Sequence, residues 1–176
     1  MLHDQTLLDW LAGVQPASFE GVVYRATRRG LDPLVPSTSG GRWMPADTEP
    51  VLYTSLERDG ALAEIVHHWS RLTPPPSKPV LVHTLEVSVR KTLVLSPSSL
   101  AQLGVAWPDA DSLYLARTQA IGAAAAYLGF DSIRAPSARR ENDNLIIVFT
   151  NHEAGDTGPT LRSTETVDWR TWGDET

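Results

Sequence analysis

The sequence contains no cysteine among its 176 residues. This absence excludes disulfides, thiolate nucleophiles and thiolate metal ligands, and it agrees with a reducing compartment. The sequence also lacks any run of the roughly 18 apolar residues that a membrane span needs. Its start, MLHDQTLLDW, lacks the basic and apolar regions of a secretory signal. We therefore expect no membrane association and a cytoplasmic location.

Positive charge is also scarce in this sequence. The formal net charge is −6, from 15 Lys and Arg against 21 Asp and Glu. Because proteins neutralise nucleic-acid phosphates with clustered Lys and Arg, we expect no direct binding to nucleic acid. The same composition still allows a small pocket that is locally positive.

Length and composition predict a single globular domain. A chain of 176 residues buries roughly two-thirds of its surface on folding. The proline-rich stretch PPPSKP at 74–79 is too short to separate two domains. We expect a core at about 20–153 and a C-terminal extension at 154–176, which Trp169 and Trp172 attach to the domain.

Apolar periodicity predicts helices and strands in irregular order. The expected helices are 4–13, 60–72 and 118–130, and the expected strands are 21–27, 50–55, 79–89 with its continuation TLVLS, DSIRAPS and NLIIVFT. Asp59 and Thr118 are the predicted N-caps, and Gly129 is the predicted stop signal. This order favours an α+β fold, a compact domain with a small mixed sheet flanked by helices, over a regular βαβ array.

Two arginines are candidates for binding an anion. Arg25 shares a strand face with Val23 in VVYRA, so it either extends along the sheet edge or enters a cleft. Arg42 follows two glycines in SGGRW, where the backbone can approach a ligand and a guanidinium can grip a phosphate with two hydrogen bonds. The residues alone favour an exposed turn arginine at position 42, and Arg28 and Arg29 are expected to be solvated.

The acidic and histidine residues give weaker signals. Periodicity puts Glu64 away from the apolar stripe of its helix and predicts that it is exposed. His67 and His68 are adjacent, so they point about 100° apart on a helix and cannot share a metal. No HExxH motif and no phosphate-binding loop occurs, and we expect no metal site.

Five segments stand in this order along the chain: YRAT, GGRW, VLYTS, ALAEIVHH and IRAPSARRENDNLIIVFTNHE. Taken together they resemble the RES domain, a bacterial family named for an arginine, a glutamate and a serine. The matching positions of the family's naming residues are Arg25, Glu64 and Ser137. The arginine of GGRW is Arg42, and the tyrosine of the following strand is Tyr53.

The resemblance covers about residues 22 to 153, with two departures. Met44 follows GGRW where the family often has asparagine, and the extension beyond His152 matches nothing that we associate with the family.

The resemblance implies a fold similar to that of ADP-ribosyltransferases and a toxin of a toxin–antitoxin pair that consumes NAD. NAD would be the substrate rather than a cofactor, and the partner would be an antitoxin with a helix-turn-helix DNA-binding domain. Glu64, Arg25 and Tyr53 would be catalytic, while Arg25, Arg42, Tyr53 and Ser137 would bind NAD. Water, phosphate or a protein remain open as acceptors, and a non-catalytic module that binds a nucleotide or a partner is the alternative.

Overall fold

The computed structural model describes residues 2–107, 112–153, 156 and 158–174. Its helices are α1 (Gln5–Ala12), α2 (Arg58–Trp69), α3 (Pro97–Gln102), α4 (Ser112–Tyr127) and α5 (Trp169–Asp174). Its strands are β1 (Ala17–Arg28), β2 (Val51–Ser55), β3 (Val80–Val94), β4 (Ser132–Pro136), β5 (Asp143–Val148) and β6 (Thr160–Val167), with a short 3-10 helix at Phe149–Asn151. The α+β prediction is therefore confirmed.

The strands form a mixed sheet in the order β1-β2-β5-β4-β3-β6. Only the β3–β4 contact, which starts with Thr92 opposite Ser132, is parallel among the strand pairs of the described residues. An additional antiparallel pairing joins β1 to β3. This pairing closes five of the strands into a circuit and leaves β6 on the outer edge of β3.

The sheet is buried on both sides around β5. Leu145 and Ile147 pack inside the circuit with Val23 and Leu85. Their neighbours in the strand, such as Ile146, pack on the opposite side in a cluster that includes residues of α1, α3 and α4. Because successive strand residues point to opposite faces, a strand covered on both sides reads as an unbroken apolar run, as LIIV does.

A third apolar cluster fixes α2 and the C-terminal extension against β3. Leu62 and Trp69 of α2 pack there with Val80 and Trp169. The rings of Trp69 and Trp169 meet edge to face, with centroids 5.9 Å apart. The prediction that Trp169 attaches the extension to the domain is confirmed, and α2 is held firmly beside the strands.

Several predicted boundaries are wrong. Helix α2 begins at Arg58 with Glu57 as its N-cap, so Asp59 lies in the first turn rather than at the cap, and the helix ends before residue 72. Helix α4 begins well before Thr118, whose hydroxyl donates to the carbonyl of Leu115, 3.0 Å away, inside the helix. Gly129 does follow the end of α4, with a positive φ of 86°.

Four elements were not expected from the sequence, namely α3, the 3-10 helix, β6 and α5. None of the helices in the described part of the chain has the length and apolar character needed to cross a membrane.

Candidate functional site

A cavity of about 500 Å³ opens between β1, β2, the loop that precedes β2, and α2. Four of the five predicted site residues line it, namely Arg25, Arg42, Tyr53 and Glu64. The other lining residues are Tyr24, Ala26, Ser37, Ser39, Gly40, Gly41, Trp43, Thr54, Ser55, Ala61, Ile65, His68 and Asn144. Residues far apart in sequence thus meet in one cleft.

Glu64 faces this cavity from α2, and the prediction that it is exposed is wrong. It is half-buried, and Ala61, Ile65 and His68 lie on the same side of the helix. Periodicity distinguishes residues buried in the core from the rest, but it cannot tell solvent from a cavity.

The carboxylate of Glu64 is oriented through one of its two oxygens. Ser137 Oγ donates to Oε1 over 2.9 Å, and Asn144 Nδ2 donates to the same atom over 3.2 Å. Asn144 is held in turn by Ser55, whose Oγ donates to Asn144 Oδ1 over 2.8 Å. Every hydrogen bond that Glu64 receives from the described residues ends on Oε1, so the lone pairs of Oε2 are available to a ligand.

Arg25 enters the cleft rather than extending along the sheet edge. Its Nη1 donates to the carbonyl oxygen of Tyr53 over 3.3 Å. Its Nε is buried and has no hydrogen-bond partner among the described residues. Burial lowers the pKa of Arg25, but a guanidinium stays protonated in proteins. A half-buried guanidinium whose Nε is buried and unsatisfied is a costly feature that a bound anion would relieve.

Gly41, the second of the two glycines before Arg42, allows their loop to pack on Tyr53. A Cβ added to Gly41 would lie 2.6 Å from Tyr53 Oη, closer than real Cβ atoms come. The loop is fixed from both sides, because Trp43 N donates to Tyr53 Oη over 3.2 Å and Gln119 Nε2 donates to Gly41 O over 2.9 Å. Gly41 is therefore required by this close contact, whereas Gly40 has a positive φ of 81° and packs on the backbone of Ala46.

Tyr53 is kept as a neutral phenol by its surroundings. Burial raises its pKa to about 12, against the opposing effects of the Trp43 and Met44 backbone N–H groups and the charge of Arg42. Tyr53 therefore contributes a flat ring and a hydroxyl that is already engaged by the loop.

Arg42 is supported by a pair of stacked tryptophan rings. Its Cζ lies 5.7 Å from the centroid of the Trp107 ring. The Trp107 ring stacks on Trp43, with centroids 6.4 Å apart and planes inclined by 26°. A guanidinium over an aromatic face is attracted by the ring quadrupole, which favours one orientation of Arg42.

A family model described as the RES domain matches residues 12–170. The chain belongs to the RES-domain family. The matched range reaches beyond His152 and includes most of the C-terminal extension, which the sequence resemblance alone did not reach.

Seven chains of solved structures match this RES domain. One of them belongs to the crystal structure of the M. tuberculosis MbcT–MbcA toxin–antitoxin complex, with a TM-score of 0.82, 19% sequence identity and 97% of each chain covered. At this identity the likeness shows a common fold. No curated protein matches the sequence.

Of the three residues matched to the family's naming residues, two line the cavity and the third lies behind them. Arg25 and Glu64 line the cavity. Ser137 is buried beside Glu64, where its Oγ also accepts a hydrogen bond of 3.1 Å from Arg139 N. Ser137 thus orients Glu64, and its direct contact with NAD stays a prediction.

Sequence reasoning missed two residues of this RES site, Ser55 and Asn144. They are partners in the antiparallel pairing of β2 and β5. Each is a polar residue at the end of an apolar strand, which by itself is the ordinary sign of a strand boundary. Only the register between the two strands brings them together beside Glu64.

Proposed function

We propose that this RES domain is the toxin of a toxin–antitoxin pair and that it cleaves the nicotinamide–ribose bond of NAD. The observation that carries the proposal is the convergence of Arg25, Arg42, Tyr53 and Glu64 on one cavity of about 500 Å³. Membership of the RES family supports the same conclusion.

The two arginines suit the pyrophosphate of NAD. A guanidinium binds phosphate oxygens through two parallel charge-assisted hydrogen bonds. Arg25 brings a buried Nε that lacks a partner among the described residues, and Arg42 is supported from the side by Trp107. Two local cations suffice for one dinucleotide, even in a chain with a net charge of −6.

Glu64 suits the reacting ribose. Cleavage breaks the bond between C1 of the ribose and the nicotinamide nitrogen, and the electron pair passes to that nitrogen. The leaving pyridinium becomes neutral, so it needs no general acid. The ribose acquires oxocarbenium character, which a fixed carboxylate stabilises. The free oxygen of Glu64 supplies this charge, and its hydrogen-bonded oxygen fixes the orientation.

The remaining residues orient the substrate. Tyr53 offers its ring for stacking on nicotinamide while Trp43 N holds its hydroxyl. An acceptor then adds to C1 of the ribose. Water loses one proton and gives ADP-ribose, phosphate gives ADP-ribose phosphate, and a protein side chain that loses a proton gives an ADP-ribosylated protein.

The proposed partner is an antitoxin with a helix-turn-helix DNA-binding domain. The support is the RES family itself and the similarity of the fold to a chain of the MbcT–MbcA toxin–antitoxin complex. Co-expression with the protein encoded beside it tests this part. An isolated 1:1 or higher complex that no longer cleaves NAD is the expected result, and full activity in the complex would contradict it.

The enzymatic part is tested by incubating the purified protein with NAD, with and without phosphate, and measuring nicotinamide. We expect nicotinamide release, and mass spectrometry of the second product identifies the acceptor. NAD carrying a label in its adenosine tests transfer to protein, because label then appears on a macromolecule.

The test variant for catalysis is Glu64→Gln, and its matched control is Glu57→Gln. Glu57 is exposed, lies at the start of the same helix and makes no side-chain cap bond, so its variant should retain activity. If NAD stays intact in every condition and calorimetry shows that it binds tightly, the protein is a non-catalytic nucleotide-binding module and not an enzyme.

A further inference from the structure

A second groove, of about 360 Å³, lies beside α2. It is lined by Ala63, Val66, His67, Arg139, Arg140, Trp172 and Gly173. It is formed by α2, the turn that joins β4 to β5, and α5.

The groove and the cavity lie on opposite sides of α2. At about 100° per residue, positions 61, 64, 65 and 68 share one side of the helix, and positions 63, 66 and 67 share the other. The first set lines the cavity and the second lines the groove. The adjacent residues His67 and His68 therefore face two different sites.

The groove carries more positive charge than its neighbours neutralise. Arg71 lies next to it, with its Nη1 3.3 Å from His67 Nε2. Arg140 approaches Asp59 only to 3.9 Å, and Asp59 already has Arg58 at 2.9 Å. Arg139 forms no ion pair among the described residues.

The same arginines affect the pKa of His67. The pKa of His67 is lowered first by burial and then by the charges of Arg139 and Arg71. Glu64 raises the pKa of His67 and His68 lowers it, and both effects are weaker. Burial and the charges of Arg139 and Arg71 together outweigh the opposing effect of Glu64, so a cationic imidazole is disfavoured at this point.

We propose that this groove is a binding site for a phosphate group, carried by inorganic phosphate or by a small phosphorylated metabolite. Arg139 and Arg140 line one wall of the groove and His67 lines the other. Two guanidinium groups and one imidazole can therefore donate hydrogen bonds to one tetrahedral anion. The proposal does not depend on the cleavage of NAD.

Two hydrogen bonds connect the groove to Glu64. Arg139 N donates to Ser137 Oγ over 3.1 Å, and Ser137 Oγ donates to Glu64 Oε1 over 2.9 Å. A phosphate held by the Arg139 side chain therefore binds the same turn that orients the carboxylate. Phosphate in the groove is on the far side of α2 from the cavity and would act as a ligand, whereas phosphate in the cavity would act as an acceptor.

The two adjacent histidines make these sites separable by NMR. The imidazole C2–H resonances of His67 and His68 are assigned with His67→Gln and His68→Gln, and inorganic phosphate is titrated at constant ionic strength against sodium chloride. We expect a saturable shift of the His67 resonance and a higher apparent pKa of His67, because a bound anion favours the charged imidazole. Ribose 5-phosphate forms the second arm, and tighter binding of the sugar phosphate would identify a metabolite as the ligand.

The decisive variant is Arg139→Gln/Arg140→Gln, with Arg28→Gln/Arg29→Gln as its control. Loss of a guanidinium should weaken phosphate binding roughly tenfold per arginine, whereas the exposed pair in β1 and the turn after it should leave it unchanged. Circular dichroism and the thermal midpoint verify that each variant folds. An unmoved His67 at tens of millimolar phosphate, a response of His68 alone, or an undiminished His67 response in Arg139→Gln/Arg140→Gln would each overturn the proposal.

Discussion

Ser137 Oγ donates a hydrogen bond of 2.9 Å to Glu64 Oε1 and joins residues 73 positions apart in sequence. Asn144 Nδ2 binds the same oxygen over 3.2 Å. The carboxylate on α2 is therefore oriented by donors that belong to β5 and to the residue after β4, and its other oxygen accepts no hydrogen bond from the described residues.

Ser137→Ala should lower kcat for NAD cleavage about tenfold and change KM less than about twofold. The reason is that the variant removes a donor that orients Glu64, while Asn144 still holds the same oxygen. Steady-state rates at varied NAD check this, with the exposed Ser88→Ala as the control. A large increase in KM at unchanged kcat would instead indicate that Ser137 binds NAD directly.

Arg25→Met should weaken NAD binding at least about tenfold, because it removes a half-buried guanidinium that we propose binds the pyrophosphate in the cavity. The free energy of unfolding should stay constant or rise by about 1 kcal/mol, since the variant also removes a buried, unsatisfied Nε. Calorimetry with NAD and denaturant unfolding measure the two effects, with the exposed Arg29→Met as the control. A marked loss of stability with unchanged NAD affinity would make Arg25 a structural residue.

Tyr53 should make stability depend on pH in the alkaline range. Its folded-state pKa is raised to about 12 from 10.0, so its stabilising contribution is complete below pH 10 and is lost between pH 10 and about 12. Unfolding free energies of the native chain and of Tyr53→Phe should therefore converge in this range, by about 1 kcal/mol per pH unit. The other tyrosines are common to both proteins and cancel. A constant difference across this range would show that Tyr53 titrates normally.

Gly41→Ala should destabilise the protein by about 1–3 kcal/mol through the clash with Tyr53. It should also weaken NAD binding, because Arg42 follows in the displaced loop. Gly158→Ala is the matched control, since nothing lies within 4 Å of its added Cβ. Thermal unfolding and NAD calorimetry on both variants check the prediction, and equal behaviour of the two would contradict the packing role of Gly41.

The apolar strands could be predicted from the sequence because a buried strand consists mainly of apolar residues. LIIV in β5 is predicted correctly because a strand covered on both faces is apolar throughout. VLYTS in β2 is predicted correctly from its β-branched and aromatic residues. By contrast β6, with the sequence TLRSTETV, is exposed except at Val167. Its strand conformation comes from pairing with β3, and a local pattern does not contain that information.

The candidate site was predictable in its residues but not in its geometry. Arg25 could have extended along the sheet edge, and periodicity alone misjudged Glu64, because a cavity exists only once the strands and α2 are assembled. Asn144 carries no distinctive signal in the sequence, and its importance follows only from its register with Ser55. The proposed roles of the site residues come from the resemblance to a family, and the distances between their side chains come from the fold.

The most direct test of the account is the rate of nicotinamide release from saturating NAD by the native protein and by Glu64→Gln. Glutamine can present its carbonyl oxygen to Ser137 and Asn144, so the fold and NAD affinity should persist while the stabilising charge is lost. We predict a fall in kcat of roughly 10²–10³-fold at an unchanged thermal midpoint. Native turnover in the folded variant would contradict the account.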